Sequence, residues 1–285
     1  MTARAEDTGL GSAFARGEPL GLIAGNGRLP FYVVEAARKR GFALVIVAHR
    51  GETSPELDAL APGAVTWVPV GALGKIARAL KAGGARRAIM AGGLGKAKLL
   101  RDFRPDLAAM ALLLKVRSRD DDTLLRALAD WFTSEGIEIV DAAPLIPELY
   151  APAGVLGRRK PNAGERADLE HGWRLAKALG ALDVGQSVAV KKGATVAVEA
   201  VEGTDALIRR AGELAGHGFV LVKTSKPEQD LRFDVPTVGP GTLAALAEAG
   251  GTALAVEAGR TLLIEREEMI RLADQHHIAL LGVAS

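Results

Sequence analysis

Short apolar runs alternate with amphipathic segments along the first half of the chain. The apolar runs are rich in branched aliphatic residues and alanine and end at glycine or polar residues, which is typical of buried strands. The predicted strands are Leu20–Gly25, Phe42–Ala48, Thr66–Val70, Arg86–Ala91 and Glu138–Ala142. Helical periodicity predicts helices over Phe31–Arg40, Leu73–Ala82, Asp106–Arg117 and Asp121–Glu135. Strands that alternate with helices of this length predict a Rossmann-like parallel α/β unit.

A second series of apolar segments follows a stretch rich in glycine, proline and arginine, Tyr150–Asn162, which has the composition of an interdomain connection or a mobile loop. The strands predicted after it are Ser187–Val190, Thr195–Val201, Gly218–Val222, Ala253–Glu257 and Leu262–Ile264. The helices predicted there are Arg166–Leu179, Ala206–Ala211 and Arg266–His276. We therefore predict a polar extension over residues 1–19, an N-terminal α/β domain over 20–150 and a second, C-terminal α/β domain over 151–285.

The composition excludes several classes of protein. The chain has no cysteine, so a disulfide scaffold, a thiolate zinc site and a cysteine nucleophile are excluded, and this fits a cytoplasmic protein. The 36 basic and 34 acidic residues are interleaved and leave a net charge of +2, without the basic face of a nucleic-acid binder. No apolar run approaches the roughly 20 residues of a membrane-spanning helix.

A glycine turn, Gly25-Asn26-Gly27, joins the first predicted strand to the first predicted helix. Such a turn is a ready anion site, because free amides and the helix dipole point at the ligand. Pro30 stands where the dinucleotide fingerprint has its third glycine, and the acidic ribose reader is missing after the second strand. A nicotinamide dehydrogenase is therefore disfavoured. A phosphate or ribose contact and a plain tight turn remain open alternatives.

Two acidic segments stand at predicted helix starts. Asp120, Asp121 and Asp122 precede an apolar-periodic helix, where carboxylates cap amides, although a magnesium role for Asp122 is the alternative. In Glu199–Asp205, either Thr204 or Asp205 is predicted to cap the following helix. Gly203 would then let a ligand approach the amides of that helix.

The most charged segment is Lys223–Gly239, which follows a buried strand and contains six ionised residues and two prolines. Proline removes backbone donors, so the segment is predicted to be a loop at the end of that strand. Lysine, arginine, carboxylate and amide side chains on one loop suit a phosphorylated substrate. The alternative is a solvated loop that forms its own ion pairs.

Several motifs together resemble one family. The apolar segment Gly21–Gly25 is followed by Gly27 and Leu29-Pro30, and the motifs Asp183–Val188, Glu199–Asp205 and Lys223–Gly239 come after it in order. Together they resemble the LpxI family from about Leu20 to the C-terminus. Members of that family are UDP-2,3-diacylglucosamine pyrophosphatases of lipid A biosynthesis. The resemblance implies two domains with a ligand cleft between them. It also implies hydrolysis to UMP and 2,3-diacylglucosamine 1-phosphate (lipid X), with water attacking the sugar-side phosphorus.

The resemblance also implies a site. It implies Mg²⁺ as cofactor and Asp230 as the essential acid, with Asp234 second. Asp230, Asp122 and Asp205 are the predicted metal ligands. The substrate-binding residues, taken together with the glycine turn, are Gly25, Asn26, Gly27, Gln186, Gly203, Thr204, Lys223, Lys226, Gln229 and Arg232.

A diacylated substrate implies contact with the inner-membrane surface by a cytoplasmic, peripheral protein, and a homo-oligomer is compatible with this. Leu149-Tyr150 and Val155–Lys160 are the candidate lipid contacts, and a surface loop without a lipid role is the alternative for them. The alternative function is a non-catalytic nucleotide-sugar or lipid-carrier binding protein, which would bind the same ligand without turnover.

Overall fold

The computed structural model describes residue 14 and residues 17–94, 103–116, 121–227 and 229–284, without the side chains of residues 121 and 122. The chain divides into two compact units. The first is Met1–Pro147 with Asp230–Phe233, and the second is Glu148–Gln229 with Asp234–Ser285. Each unit has its own large sheet, which confirms the prediction of two α/β domains. Residues 230–233, which we predicted to lie in the C-terminal domain, group with the first unit.

The sheet of the first unit is entirely parallel. Its strands are β1 (Leu20–Ala24), β2 (Leu44–His49), β3 (Val65–Val68), β4 (Arg87–Ala91) and β5 (Glu138–Ile139). Their order is β3-β2-β1-β4-β5. All five residues of the central strand β1 are buried, as expected for a strand covered on both faces.

Helices cover this sheet. They are α1 (Leu29–Lys39), α2 (Leu57–Leu60), α3 (Leu73–Ala82), α4 (Leu107–Lys115) and α5 (Asp121–Ser134). Helix α3 shows why periodicity predicts such elements: Leu73, Ile76, Ala77 and Leu80 follow helical spacing and are all buried. The aromatic ring of Phe233 packs against the same core.

The second unit has a mixed sheet. Its strands are β6 (Gly154–Val155), β7 (Ser187–Lys191), β8 (Ala194–Val198), β9 (Phe219–Lys223), β11 (Gly251–Glu257) and β13 (Ala279–Val283). The order is β6-β13-β11-β9-β7-β8. Strands β13, β11 and β9 are parallel, whereas β7 runs antiparallel to both β9 and β8. Two short strands, β10 (Thr237–Val238) and β12 (Leu262–Leu263), pair separately.

Two apolar cores lie on the two faces of this mixed sheet. Because side chains alternate along a strand, Phe219 and Leu221 of β9 enter one core while Val220 and Val222 enter the other. The helices of this unit are α6 (Ala163–Ala181), α7 (Thr204–Ala215), α8 (Pro240–Glu248) and α9 (Arg266–Gln275). A 3-10 turn spans Pro147–Leu149.

Two predictions about flexible or polar segments need correction. Part of Tyr150–Asn162, predicted as a connection or mobile loop, is paired within the second unit: Tyr150 bridges Leu262, and β6 pairs with β13. The first residues were predicted to form a polar extension, yet Phe14 is buried, with its ring centroid 5.8 Å from that of Phe42. The remaining residues before Gly17 lie outside the described part of the chain.

Candidate functional site

Strand direction brings three sequence motifs of the second unit to one place. Strand β7 is antiparallel to its neighbours, so its first residues lie beside the last residues of β8 and β9. Ser187 pairs with Lys223, and Val188 pairs with both Val198 and Val222. The Asp183–Val188 motif, the Glu199–Asp205 motif and the first residue of the Lys223–Gly239 motif therefore meet at this end of the sheet.

A chain of hydrogen bonds joins these motifs. Lys223 Nζ donates to Thr204 Oγ1 at 2.9 Å, and Thr204 Oγ1 donates to Glu199 Oε1 at 2.7 Å. The other oxygen of Glu199 accepts from the backbone N–H of Gln186 at 3.3 Å. The Oε1 atom of Gln186 is buried and has no hydrogen-bond partner among the described residues. We call Gln186, Glu199, Thr204 and Lys223 the strand-end cluster.

The strand-end cluster is organised around a buried lysine. Lys223 is only 7% exposed, and burial lowers the pKa of its ammonium group. The carboxylates of Glu199, Asp234 and Asp205 oppose this shift. The cluster thus holds a lysine next to several acids, and the predicted residues Asp205 and Asp234 contribute to its field.

The start of helix α7 differs from the prediction. Its N-cap is Gly203, with φ at +82°, and no side chain among the described residues caps the helix. Thr204 and Asp205 were predicted as caps, which is wrong because both belong to the first helical turn. The hydroxyl of Thr204 instead bonds to Glu199 and Lys223. A Cβ atom added at Gly203 would meet no atom within 4 Å, so space exists in front of this helix start.

Asp230 belongs to the first unit and is held by an arginine. Arg232 Nε lies 2.9 and 3.2 Å from the two carboxylate oxygens of Asp230, and Arg232 Nη2 lies 2.6 Å from Oδ2. These hydrogen bonds lower the pKa of Asp230. Asp230 is therefore an anion at neutral pH.

Asp141 is a second acid in the first unit that sequence reasoning missed. It follows β5 by two residues, and its Oδ1 accepts from the N–H of Ala143 at 2.8 Å. Burial raises the pKa of Asp141, and the charge of Asp230 raises it further, while the hydrogen bonds from the backbone oppose both. The signal was present, since an acid after a parallel strand lies at the ligand-binding edge of the sheet. The prediction had placed Asp141 inside the strand Glu138–Ala142.

The other predicted residues of the charged loop are bonded locally within the second unit. Gln229 Nε2 donates to Asp234 Oδ2 at 2.7 Å, and Gln229 Oε1 accepts from the N–H of Lys226 at 2.9 Å. The ammonium group of Lys226 donates to Asp183. The ion pairs of the loop agree with the alternative that it supplies its own counter-charges.

A buried carboxylate fixes the start of this loop. Glu257 is 1% exposed, and both of its oxygens lie 2.7 Å from Lys177 Nζ. Its Oε2 also accepts from the N–H and the hydroxyl of Ser225, each at 2.7 Å. Sequence reasoning missed this contact, because Lys177 and Glu257 are 80 residues apart.

Close packing of the backbone requires glycine at Gly25, in the glycine turn of the first unit, and at Gly92. A Cβ atom at Gly25 would lie 2.3 Å from the carbonyl oxygen of Gly93, and one at Gly92 would lie 2.2 Å from that of Asn26. The N–H of Asn26 donates to Gly93, and its side chain donates to Glu52 at 3.1 Å. The close approach of the two backbone segments at Gly25 and Gly93 therefore explains why position 25 is a glycine. The ligand contact of Gly25, Asn26 and Gly27 stays a prediction.

The described residues contain no group of three or more histidine, aspartate or glutamate side chains that could hold a metal ion. The side chain of Asp122 lies outside the described residues. Magnesium usually takes one or two carboxylates together with substrate phosphates and water. The acids Asp141 and Asp230, which interact in the first unit, fit that smaller set.

Nowhere in the described ranges does a helix have the length and apolar character needed to cross a membrane. The molecule is a two-domain α/β protein with an acid, Asp141, after strand β5 of the first unit and a buried lysine, Lys223, at the end of strand β9 of the second unit. The LpxI N-terminal domain model matches residues 19–149, and the LpxI C-terminal domain model matches residues 152–281. The chain belongs to the LpxI family. It is similar to UDP-2,3-diacylglucosamine pyrophosphatase LpxI of Caulobacter vibrioides, with 38% identity over 275 residues that cover 93% of this chain and 97% of the relative.

Proposed function

We propose that this protein hydrolyses the pyrophosphate bond of UDP-2,3-diacylglucosamine to UMP and lipid X. The observation that carries the proposal is the match along both domains to a relative named for this activity, of whose length 97% is covered. Nearly full coverage matters because a hydrolase assembled from two domains needs both of them.

The first unit supplies two acids with different protonation. Asp230 has a lowered pKa and stays anionic, so it suits the binding of a cation better than the uptake of a proton. Asp141 has a raised pKa and is the better proton acceptor for an attacking water. A bound Mg²⁺ would neutralise charge on the pyrophosphate, and Asp230 is the residue that would hold it, which leaves Asp141 to accept the proton.

In the proposed reaction the oxygen of water attacks the sugar-side phosphorus. The bond from this phosphorus to the bridging oxygen breaks, and UMP leaves with that oxygen. The proton of water passes to the carboxylate of Asp141. Arg232 stabilises the charge of Asp230 and is available to the phosphates, since its side chain is 42% exposed.

The strand-end cluster is proposed to bind polar parts of the substrate. The free carbonyl oxygen of the Gln186 side chain and the open start of helix α7 at Gly203 support this. The hydrogen bonds that link Thr204 to Lys223 and Glu199 hold the strand-end cluster together. Lys226 and Gln229 are proposed to extend the polar surface of the cluster along the loop. Because the substrate is diacylated, we also propose transient contact with the cytoplasmic face of the inner membrane.

Purified protein incubated with UDP-2,3-diacylglucosamine and Mg²⁺ should release UMP, and EDTA should stop the release. In ¹⁸O water the label should appear in lipid X. Label in UMP would contradict the site of attack. Binding of the substrate without any release of UMP would overturn the proposed hydrolysis in favour of a binding protein.

A further inference from the structure

Helix α4 is apolar on both of its faces, but only one face is buried. Its sequence, LAAMALLLK, contains no acid and a single lysine. Ala109 is buried, and Ala108 and Leu112 pack against the core of the first unit. The opposite face exposes Leu107 at 89%, Met110 at 45% and Leu114 at 83%. A helix that is apolar all round is normally buried in protein or lipid, so the second face calls for a partner.

The exposed apolar side chains are concentrated on helix α4. Large apolar side chains are exposed at several places in the described residues, and four of them lie on this nine-residue helix: Leu107, Met110, Leu113 and Leu114. Leu107, Met110 and Leu114 have the i, i+3, i+7 spacing that puts them on one stripe. Contiguous exposed apolar surface of this kind marks an interaction site.

The charges around the stripe favour one kind of partner. Exposed Arg104 precedes the helix, exposed Lys115 ends it, and exposed Lys75 follows Gly74. Asp106, the acid that directly precedes the helix, is engaged, because its Oδ2 accepts from the N–H of Gly74 at 2.8 Å and its Oδ1 from that of Ala109 at 3.0 Å. An apolar stripe with cations at its rim is complementary to an anionic lipid surface, which takes leucine into its acyl boundary and basic groups at its phosphates.

We propose that the exposed face of helix α4 docks this protein on the surface of an anionic phospholipid bilayer. The docking surface rests on the proposed function, because the proposed diacylated substrate resides in such a bilayer and the protein would have to reach it there. The surface differs from Leu149-Tyr150 and Val155–Lys160, the lipid contacts predicted from sequence.

The test is co-sedimentation of the full chain with vesicles of phosphatidylethanolamine and phosphatidylglycerol that contain no substrate. Wild-type protein should bind these vesicles more strongly than vesicles of phosphatidylcholine. Leu114→Gln should weaken the partition coefficient roughly tenfold, since burial of a leucine contributes about that factor. Lys115→Glu should weaken it by roughly fivefold or more, on the anionic vesicles only. Leu214→Gln is the matched control, because Leu214 is also an exposed helical leucine, at 68%, in the second unit.

Circular dichroism and thermal unfolding should show that each variant is folded. Failure of wild type to bind anionic vesicles, or equal binding by Leu114→Gln, would overturn the proposal. So would conversion of a dimer to a monomer by Leu114→Gln with unchanged vesicle binding, because a second copy would then be the occupant. Turnover of detergent-dispersed substrate is measured separately and should be unchanged in Leu114→Gln. Absence of turnover in wild type with vesicle binding intact would refute the proposed hydrolysis and leave the docking surface standing.

Discussion

At the scale of single residues, the site depends on charges whose partners come from distant positions. Arg232, two residues away, lowers the pKa of Asp230, whereas the charge of Asp230 raises the pKa of Asp141, which lies far from it in sequence. Sequence reasoning predicted Asp230, because a resemblance can be mapped residue by residue, and its role stays a prediction. It missed Asp141, because no local pattern marks which strand end an acid will share.

Asp230→Asn is predicted to lower kcat by roughly a hundredfold or more, because it removes the permanent anion of the proposed site. The fold should survive, since Asp230 lies in a partly exposed loop. UMP release and thermal unfolding measured on the same preparation check both expectations. Glu248→Gln, which removes an exposed acid on helix α8, should keep wild-type turnover. A near-native rate in Asp230→Asn would refute the role of Asp230.

His49 is predicted to make the protein acid-sensitive. Burial lowers the pKa of His49 from its ordinary value of 6.5, while Glu52 opposes the shift. The unfolded chain therefore takes up a proton that the folded chain resists. The free energy of unfolding should be fully retained above pH 6.5 and decline as the pH falls from 6.5 toward the lower pKa of the folded state.

Urea unfolding of wild type and His49→Gln between neutral and mildly acidic pH measures this effect. The variant should lose less stability on acidification than wild type. His217→Gln, at an exposed histidine, should behave as wild type does. Parallel pH profiles for wild type and His49→Gln would show that His49 is not responsible.

At the scale of elements, apolar periodicity predicts the bounds of a helix best where one face is buried and the other is exposed to solvent. Leu73–Ala82 was predicted with its observed bounds for that reason. Helix α6 begins earlier than predicted, because Asn162 and Glu165 form a capping box. Strand β13 and helix α8 were not predicted, although β13 lies inside the second sheet. Short apolar runs near the end of a chain do not distinguish strand from loop.

Glu257→Gln is predicted to destabilise the second unit by roughly 1.5–3 kcal/mol, because hydrogen bonds to a buried charged group are lost. The replacement would place an amide donor against Lys177 or the N–H of Ser225. The urea midpoint is the measurement. Glu268→Gln is the matched control, since its pair with Arg271 is exposed and should change the midpoint little. If Glu257→Gln and Glu268→Gln had the same urea midpoint, the buried Lys177–Glu257 pair would make no net contribution to the free energy of unfolding.

At the scale of the whole molecule, the chain does not divide at one point. The Lys223–Gly239 segment contributes to both units, since Asp230–Phe233 groups with the first and its flanks with the second. The ring of Phe233 packs on the core of the first unit. A fragment that begins at residue 148 therefore keeps the complete sheet of the second unit. It loses the unit with which Asp230–Phe233 are grouped.

The fragment 148–285 is predicted to fold cooperatively and to be inactive. Its sheet and two cores are complete without the first unit. The N–H of Phe233, which donates to the carbonyl of Asp230 at 3.1 Å, should exchange far faster in the fragment than in the full chain. The N–H of Val222 in β9 should stay protected in both. Hydrogen exchange with mass spectrometry measures this, and equal protection of Phe233 would show that the loop is ordered by the second unit alone.

The sequence by itself determined the two α/β domains, the parallel first sheet, the family and the charged loop, because apolar periodicity and ordered motifs are properties of neighbouring residues. The tertiary structure decided which residues meet. The antiparallel direction of β7 assembles the strand-end cluster, the end of β5 places Asp141 beside Asp230, and burial of only one apolar face leaves Leu107 and Leu114 on the surface. Strand order, strand direction and the choice of buried face depend on interactions between segments far apart in the chain, which no local pattern encodes.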